Sequence, residues 1–466
     1  MEHLKALDAM FLQAEDADRH ISLAVAGVSI LEGPIPDDET LVSEIGRRVV
    51  SMPRARQRLR THPLGLDLPE WVDDPSFDLG HHLRRVAVPH PGDDAALYGV
   101  ITEVMERRLD RDRPLWECWI IEGLPEGRWA MLMKLHHCIA DGIAAAKLTS
   151  GFYDDGGAGT FADQIRAAKE HEPPFRLSLN PLEWVGGIWR LSALVTKAAT
   201  QVTTGLGQVI AGLAKPGGGS SLTGPITSQR RYAAASVSMA DITKVCEKFD
   251  VTLNDVALAG ITDSYRALLE RRGEKLRPDM LRTFVPVSVR TAEDYDKTDN
   301  RVAGMLPVLP VDEENPVERL QEVHRRLTKA KASGQRQTTT AVIAAANRLP
   351  FPLTTLAMRL LSRLPQRSVV ALATNVPGPR RHIKMMGREV VQILPIPPIA
   401  MQLQTGIAMV SYADRLIFGI IADYDGAPDV DDLARGIEDG VARLATISRA
   451  RNRTSDRQKP SALRTG

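Results

Sequence analysis

Apolar residues in this chain come in short runs separated by polar turns, and the spacing changes from one run to the next. Residues 21–31, ISLAVAGVSIL, are almost continuously apolar, as a buried strand is, and residues 37–50 carry apolar positions at helical spacing. Two further runs, 115–121 and 128–136, flank a connection containing Gly and Pro, which predicts a β-hairpin. Directly after it, DGIAAAKLTSGFYDD places an Asp where an N-cap belongs, ahead of helix-forming alanines. In the second half, TLNDVALAGITDSYRALLERRG reads as a helix opened by Thr252 and Asp255 at capping-box spacing. Strand-like runs follow at 281–289, 369–374, 405–411 and 416–423, and a last helix near 430–448. Strands and helices mix in both halves, so α/β or α+β domains are expected.

Length and the middle of the chain set the domain count. At 466 residues the protein exceeds one ordinary core, given about 150 residues per domain. The polar, Gly/Pro-rich stretch 151–181, a helical stretch near 184–214 and KPGGGSSLTGP at 215–225 read as a long interdomain connection. The expected division is an N-terminal domain over 1–180, a helix and linker over 181–230, a C-terminal domain over 231–450 and a basic tail over 451–466. That tail is expected to be disordered, with a weak contact to an anionic lipid surface as the alternative.

Charge and composition then exclude some functions. Lys plus Arg (59) balances Asp plus Glu (58), so no global field recruits nucleic acid. Three widely spaced cysteines, Cys118, Cys138 and Cys246, form no CxxC and supply neither a disulfide framework nor a cysteine metal site. The first twenty residues are charged throughout, unlike a secretory signal. The least charged stretch, 198–214, has 17 residues including two Gln and three Thr, short of the roughly 20 apolar residues of a spanning helix. A cytoplasmic protein with no transmembrane segment is expected.

The densest chemistry lies in KLHHCIADGIAA, where His136 and His137 end an apolar strand and Asp141 and Gly142 open the following helix. Adjacent residues on a strand point to opposite faces, so one ion cannot take both rings, and HExxH is absent. No metal is expected. On period-2 spacing His137 sides with Trp129, Met131, Met133 and Leu135, and His136 with Ala130, Leu132 and Lys134, so the two rings have different tasks. A helix N-terminus beside them keeps an imidazole neutral and able to accept a proton. There is no GxSxG elbow, no GxGxxG and no GxxxxGK[ST], and Cys138 lacks an activator, which favours direct attack without a covalent enzyme intermediate.

His136, His137, Asp141 and Gly142 match HHxxxDG, and further blocks accompany them: PLW at 114–116, ND at 254–255, VPVSVR at 285–290, DNRV at 299–302, TNVPGP at 374–379 and an opening LDAMFLQAED at 7–16. In this order they resemble the bacterial wax ester synthase/diacylglycerol acyltransferase family of the coenzyme A-dependent acyltransferase superfamily, and within it the mycobacterial triacylglycerol synthases. Thr374 stands where that block often has Ser, which keeps a hydroxyl.

The resemblance implies two similar chloramphenicol-acetyltransferase-like α/β (α+β) sandwich domains with the active site in a tunnel between them. It implies transfer from long-chain acyl-CoA, a co-substrate with no other cofactor, to diacylglycerol or a long-chain alcohol. It makes His137 the general base, His136 a supporting residue and Asp141 a structural residue directed away from the base, the other reading being a relay carboxylate. Gly142 allows close packing of strand end on helix start. Asn254 is either a polar group facing the reaction centre or simply a helix start. Trp116 is hairpin core or tunnel wall, and 393–400 is a tunnel wall or a rigid buried loop. The stretch 184–214 either packs between domains or meets the inner membrane face or a lipid droplet. The rival readings are an acyltransferase with another hydroxyl or amine acceptor and a silent lipid-binding or droplet-coating protein.

Overall fold

The computed structural model describes residues 2–50, 52–61, 67–139, 145, 149–155, 220–288, 302–332, 369–400 and 402–456. The expected helix at 184–214 lies outside them, as do Asp141 and Gly142. In the first half the chain runs β1 (Glu2–His3), α1 (Ala6–Ala17), β2 (Ala24–Leu31), α2 (Asp38–Val50), β3 (Gln57–Arg60), β4 (Glu70–Asp73), β5 (Leu83–Ala87), α3 (Asp94–Glu106), β6 (Trp116–Glu122) and β7 (Trp129–His136). The second half begins with β8 (Arg230–Ser238), α4 (Met239–Phe249), α5 (Leu253–Arg271), β9 (Leu281–Ser288), β10 (Val302–Met305), β11 (Val308–Leu309) and α6 (Pro316–Ala332). It ends with β12 (Ala371–Val376), β13 (Lys384–Met385), β14 (Arg388–Ile396), β15 (Thr405–Tyr412), β16 (Arg415–Asp423) and α7 (Val430–Asp456).

Two mixed sheets organise the molecule. The first has strand order β13-β14-β2-β7-β6-β5, and the second β10-β9-β12-β15-β16-β8 with β11 also on β9. The predicted hairpin is β6 and β7, antiparallel with Trp116 opposite Leu135, and β7 also pairs with β2. The predicted capping box is formed: the Thr252 hydroxyl accepts from Asp255 N–H and the Asp255 carboxylate accepts from Thr252 N–H. Each such cap contributes about 1 kcal/mol. Helix α7 continues past 448 to Asp456, so the tail is helical over its first residues instead of disordered from 451. Arg449 pairing with Asp241 anchors that extension.

One strand crosses between the halves. β14, from the stretch assigned to the C-terminal unit, pairs with β2 from Ile396 opposite Ala26 to Val390 opposite Leu31. It also packs on β15 and β16 of the second sheet. The crossing needs a bare backbone beneath it. At Gly419 of β16 an added Cβ would lie 1.7 Å from the Pro395 carbonyl oxygen, and the Tyr232 hydroxyl donates to that same oxygen at 3.1 Å. The apolar core around the first sheet therefore includes Ile393, Leu394 and Ile396 beside Val28, Leu31, Ile121, Trp129 and Leu132. Each such side chain contributes roughly 1.5–3 kcal/mol by burial.

Candidate active site

The two histidines sit where β7 stops. His136 is its last residue, and Ile139 N–H donates back to the His136 carbonyl at 3.0 Å, closing a turn that carries His137 and Cys138. Flanking strands fix the turn: His136 N–H donates to the Leu115 carbonyl at 3.0 Å and His137 N–H to the Leu23 carbonyl at 2.9 Å. Leu115 belongs to the PLW block, whose Trp116 is buried, stacks on His82 and donates from Nε1 to the Ala55 carbonyl at 2.7 Å. That block is hairpin core holding the backbone of His136.

Both rings meet helix α1. The expectation of opposite faces assumed that the strand continued through His137, and the turn ends that alternation. His137 stacks on Phe11 with ring centroids 4.3 Å apart. One helical turn later, buried Glu15 lies with Oε2 3.4 Å from His136 Nε2. At the other edge of the ring, Cys138 N–H points at His136 Nδ1 at 3.1 Å. A backbone N–H can only donate, so Nδ1 accepts and the ring proton resides on Nε2, facing Glu15. The His136 ring is thus held at Nδ1, and its Nε2 lies beside the Glu15 carboxylate.

Glu15 is held by more than the histidine. Its carboxylate accepts from Leu23 N–H at 2.7 Å and from Arg111 Nη2 at 2.8 Å. Burial alone would push this acid up; the contacts to His136, Arg111 and the Leu23 amide outweigh it and hold the group at about 2. Arg111 also pairs with Asp16 at 2.7 Å, and Arg108 donates to the Glu15 carbonyl at 2.6 Å and the Ile21 carbonyl at 2.9 Å. Two arginines thereby cover the C-terminal end of α1, where carbonyls and negative dipole collect. The reading from sequence missed Phe11, Glu15 and Arg111, though Asp8, Phe11 and Glu15 recur at spacings of three and four in LDAMFLQAED. Carboxylates on the face of a helix that carries Phe11 are the signal that could have found them.

Other candidates fall into place individually. Cys138 is buried, and desolvation pushes its thiol well above the ordinary range, with Asp8 and Glu15 adding to the effect. It is no nucleophile. Lys134, two residues before His136, is fully buried; burial lowers it to about 8, and its Nζ donates to the Val104 carbonyl at 2.7 Å and to the Arg107 carbonyl at the end of α3. Asn254, at the start of α5, is exposed and accepts at Oδ1 from Asn375 Nδ2 at 2.6 Å. That bond joins the ND and TNVPGP blocks within the second half. Among the described residues no group of three His, Cys, Asp or Glu is placed to hold a metal ion.

Two sheets joined by a crossing strand, with a histidine turn at the end of a central strand, define the protein as a two-domain acyltransferase-type α/β fold. The first condensation domain of the calcium-dependent antibiotic synthetase shares it at TM-score 0.62 over 96% of each chain, with 14% identity, a likeness of fold alone. The wax ester synthase/diacylglycerol acyltransferase from Marinobacter aquaeolei VT8 matches at TM-score 0.67 and 26% identity, over 96% of this chain and 99% of that one. Residues 4–257 match the wax ester synthase/diacylglycerol acyltransferase catalytic domain, and residues 298–445 the C-terminal domain of the same family. The chain belongs to the wax ester synthase/diacylglycerol acyltransferase family, as its ordered motifs led one to expect. Among its relatives, a Mycobacterium tuberculosis protein named "Probable diacyglycerol O-acyltransferase tgs1" is 53% identical over 463 residues, 98% of each chain. The Acinetobacter baylyi protein named "O-acyltransferase WSD" is 27% identical over 459 residues, covering 95% of this chain and 96% of that one.

Proposed function

We propose that this protein transfers a long-chain acyl group from coenzyme A to the free hydroxyl of diacylglycerol, forming triacylglycerol, with wax esters from long-chain alcohols as a side activity. The observation that carries this reading is the 53% identity over 98% of both chains to a protein named as a diacylglycerol acyltransferase. The geometry of the histidine turn supports it.

His137 acts as the general base. Its backbone is tied to Leu23, its ring is backed by Phe11 and its Nδ1 is buried; Nε2 receives the proton of the acceptor hydroxyl. The hydroxyl oxygen attacks the thioester carbonyl as its proton passes to the imidazole, a step that a positioned base speeds by about 10² to 10⁴. The tetrahedral intermediate collapses, the C–S bond breaks, and the departing thiolate takes the proton back. His136, which accepts from the Cys138 amide and lies beside Glu15, supports the turn. Asp141 is assigned a structural role instead of a relay role, as the family resemblance implies, and Asn254, paired with Asn375, contributes a polar group from the second half. Acyl-CoA is the co-substrate and no further cofactor takes part.

Both substrates partition into lipid, so the protein works peripherally at the inner membrane face or on lipid droplets. Among the described residues no helix is long and apolar enough to cross a membrane. The test is direct: labelled oleoyl-CoA and dioleoylglycerol should give labelled triacylglycerol, with hexadecanol, sterol and amine acceptors run alongside. His137→Ala should abolish turnover while leaving the circular dichroism spectrum unchanged. Full activity in that variant would overturn the base assignment, and transfer to the amine in preference to diacylglycerol would overturn the acceptor.

A further inference from the structure

Away from the histidine turn, another histidine meets a buried acid. His324 of α6 lies with Nδ1 2.8 Å from Asp255 Oδ2 in the first turn of α5; Asp255 is buried, whereas the His324 side chain is 37% exposed. The same Oδ2 accepts from the Thr252 N–H and from the Thr252 hydroxyl, each at 2.8 Å. An ionised carboxylate can only accept, so the ring donates from Nδ1. We propose that His324 is a positioning residue for acyl transfer: by gripping Asp255 it keeps the neighbouring Asn254 in place at the reaction centre. The inference rests on the role given to Asn254 above.

This bond is more than the helix start requires. Thr252 and Asp255 close the capping box by themselves and satisfy the start of α5 without help from another element. Nor is His324 needed to seat α6. Arg319 pairs with Asp263 further along α5, and Gln321 Nε2 donates at 2.9 Å to the Phe249 carbonyl at the end of α4, while Leu320, Val323 and Leu327 are buried in the second core. What the histidine adds is an anchor at one residue, Asp255. The preceding residue, Asn254, is anchored through its own side chain, since Asn375 Nδ2 of β12 donates to Asn254 Oδ1 at 2.6 Å. Asn254 is exposed between these two ties, so its amide is held without being buried. A group that meets a transition state must be held closely, because a displacement of ~1 Å can cost about 10²-fold in rate.

The test uses the full-length protein with oleoyl-CoA and dioleoylglycerol. His324→Asn keeps an N–H donor at the same remove from Cβ as Nδ1, and His324→Leu removes it. His324→Leu should lower kcat at least fivefold with both KM values within twofold, and His324→Asn should restore kcat to within twofold of the unsubstituted protein. Adding His324→Leu to Asn254→Ala should cost less than twofold more. Thermal melting establishes that each variant is folded, and His324→Ala replaces His324→Leu if the latter is not. A kcat within twofold of normal in folded His324→Leu overturns the inference, as does a loss that His324→Asn does not restore. An equal loss on the Asn254→Ala background also overturns it, because the bond would then serve the fold alone. Full activity in Asn254→Ala would sink the role of Asn254 and the inference with it, whereas an impaired Asn254→Ala beside a normal His324→Leu strikes the inference alone. Absence of transfer by the unsubstituted protein would overturn the proposed function itself, and the inference falls with it.

Discussion

Replacing Glu15 by Gln tests whether the carboxylate beneath the histidine turn holds the site together. The substitution preserves shape, and Oε1 can still accept from Leu23 N–H. The other arm becomes an amide donor facing the donors Arg111 Nη2 and His136 Nε2–H. Lowering a carboxylate from 4.5 to about 2 corresponds to about 3 kcal/mol of folding free energy. Solvent screens little of it, because the Glu15 side chain is 2% exposed. The folded value is depressed, so this contribution is complete above pH 4.5 and is lost as pH falls towards 2; at pH 3 roughly half remains. The assay is urea denaturation of both proteins at pH 7 and pH 3, followed by tryptophan fluorescence, which reports on Trp116 and Trp129 in the first core. The variant should be about 2–3 kcal/mol less stable at pH 7, the gap should shrink by about half at pH 3, and kcat should fall at least tenfold. Equal midpoints at pH 7, or a gap that ignores pH, would refute the proposed clamp.

Two other substitutions probe the frame around the site. Burial lowers Lys134 to about 8 from 10.5, so the unfolded chain binds the extra proton between those values and stability rises with pH across that window, by about 3 kcal/mol; Lys134→Met should lose that alkaline rise, and a retained rise would show that Lys134 is not its source. Gly419→Val should yield no soluble protein, since a Cβ there would lie 1.7 Å from the Pro395 oxygen; a folded Gly419→Val protein with wild-type melting would mean that β14 does not need the bare backbone.

What could be read from the sequence was local. The hairpin of β6 and β7 and the Thr252 capping box are each specified within a few residues, by alternation, turn residues and a side chain that meets its own backbone. The crossing of β14 was not legible, because its pairing with β2 joins segments more than 350 residues apart and no periodicity encodes a partner. The two histidines were found from their motif, yet the support for them was not. Glu15 and His136 are 121 residues apart in sequence and meet only when α1 packs against the end of β7. Lys134 was visible as a charge inside AMLMKLHH, and a lysine in the middle of an apolar strand calls for carbonyl partners; the Val104 and Arg107 oxygens supply them.

Leu23 links these observations. Its N–H donates to Glu15 and its C=O accepts from the His137 N–H, so the backbone of one residue couples the buried acid to the backbone of the proposed base. His136 joins the same acid through its ring, while Phe11, four residues before Glu15 on α1, backs the His137 ring. Displacing α1 would therefore release both histidines together. A base that must accept and return a proton in each turnover needs a ring held in place. His136 is held at Nδ1 by the Cys138 amide and lies beside Glu15, while the His137 ring is held by stacking on Phe11, a division of labour that the bare dipeptide does not express.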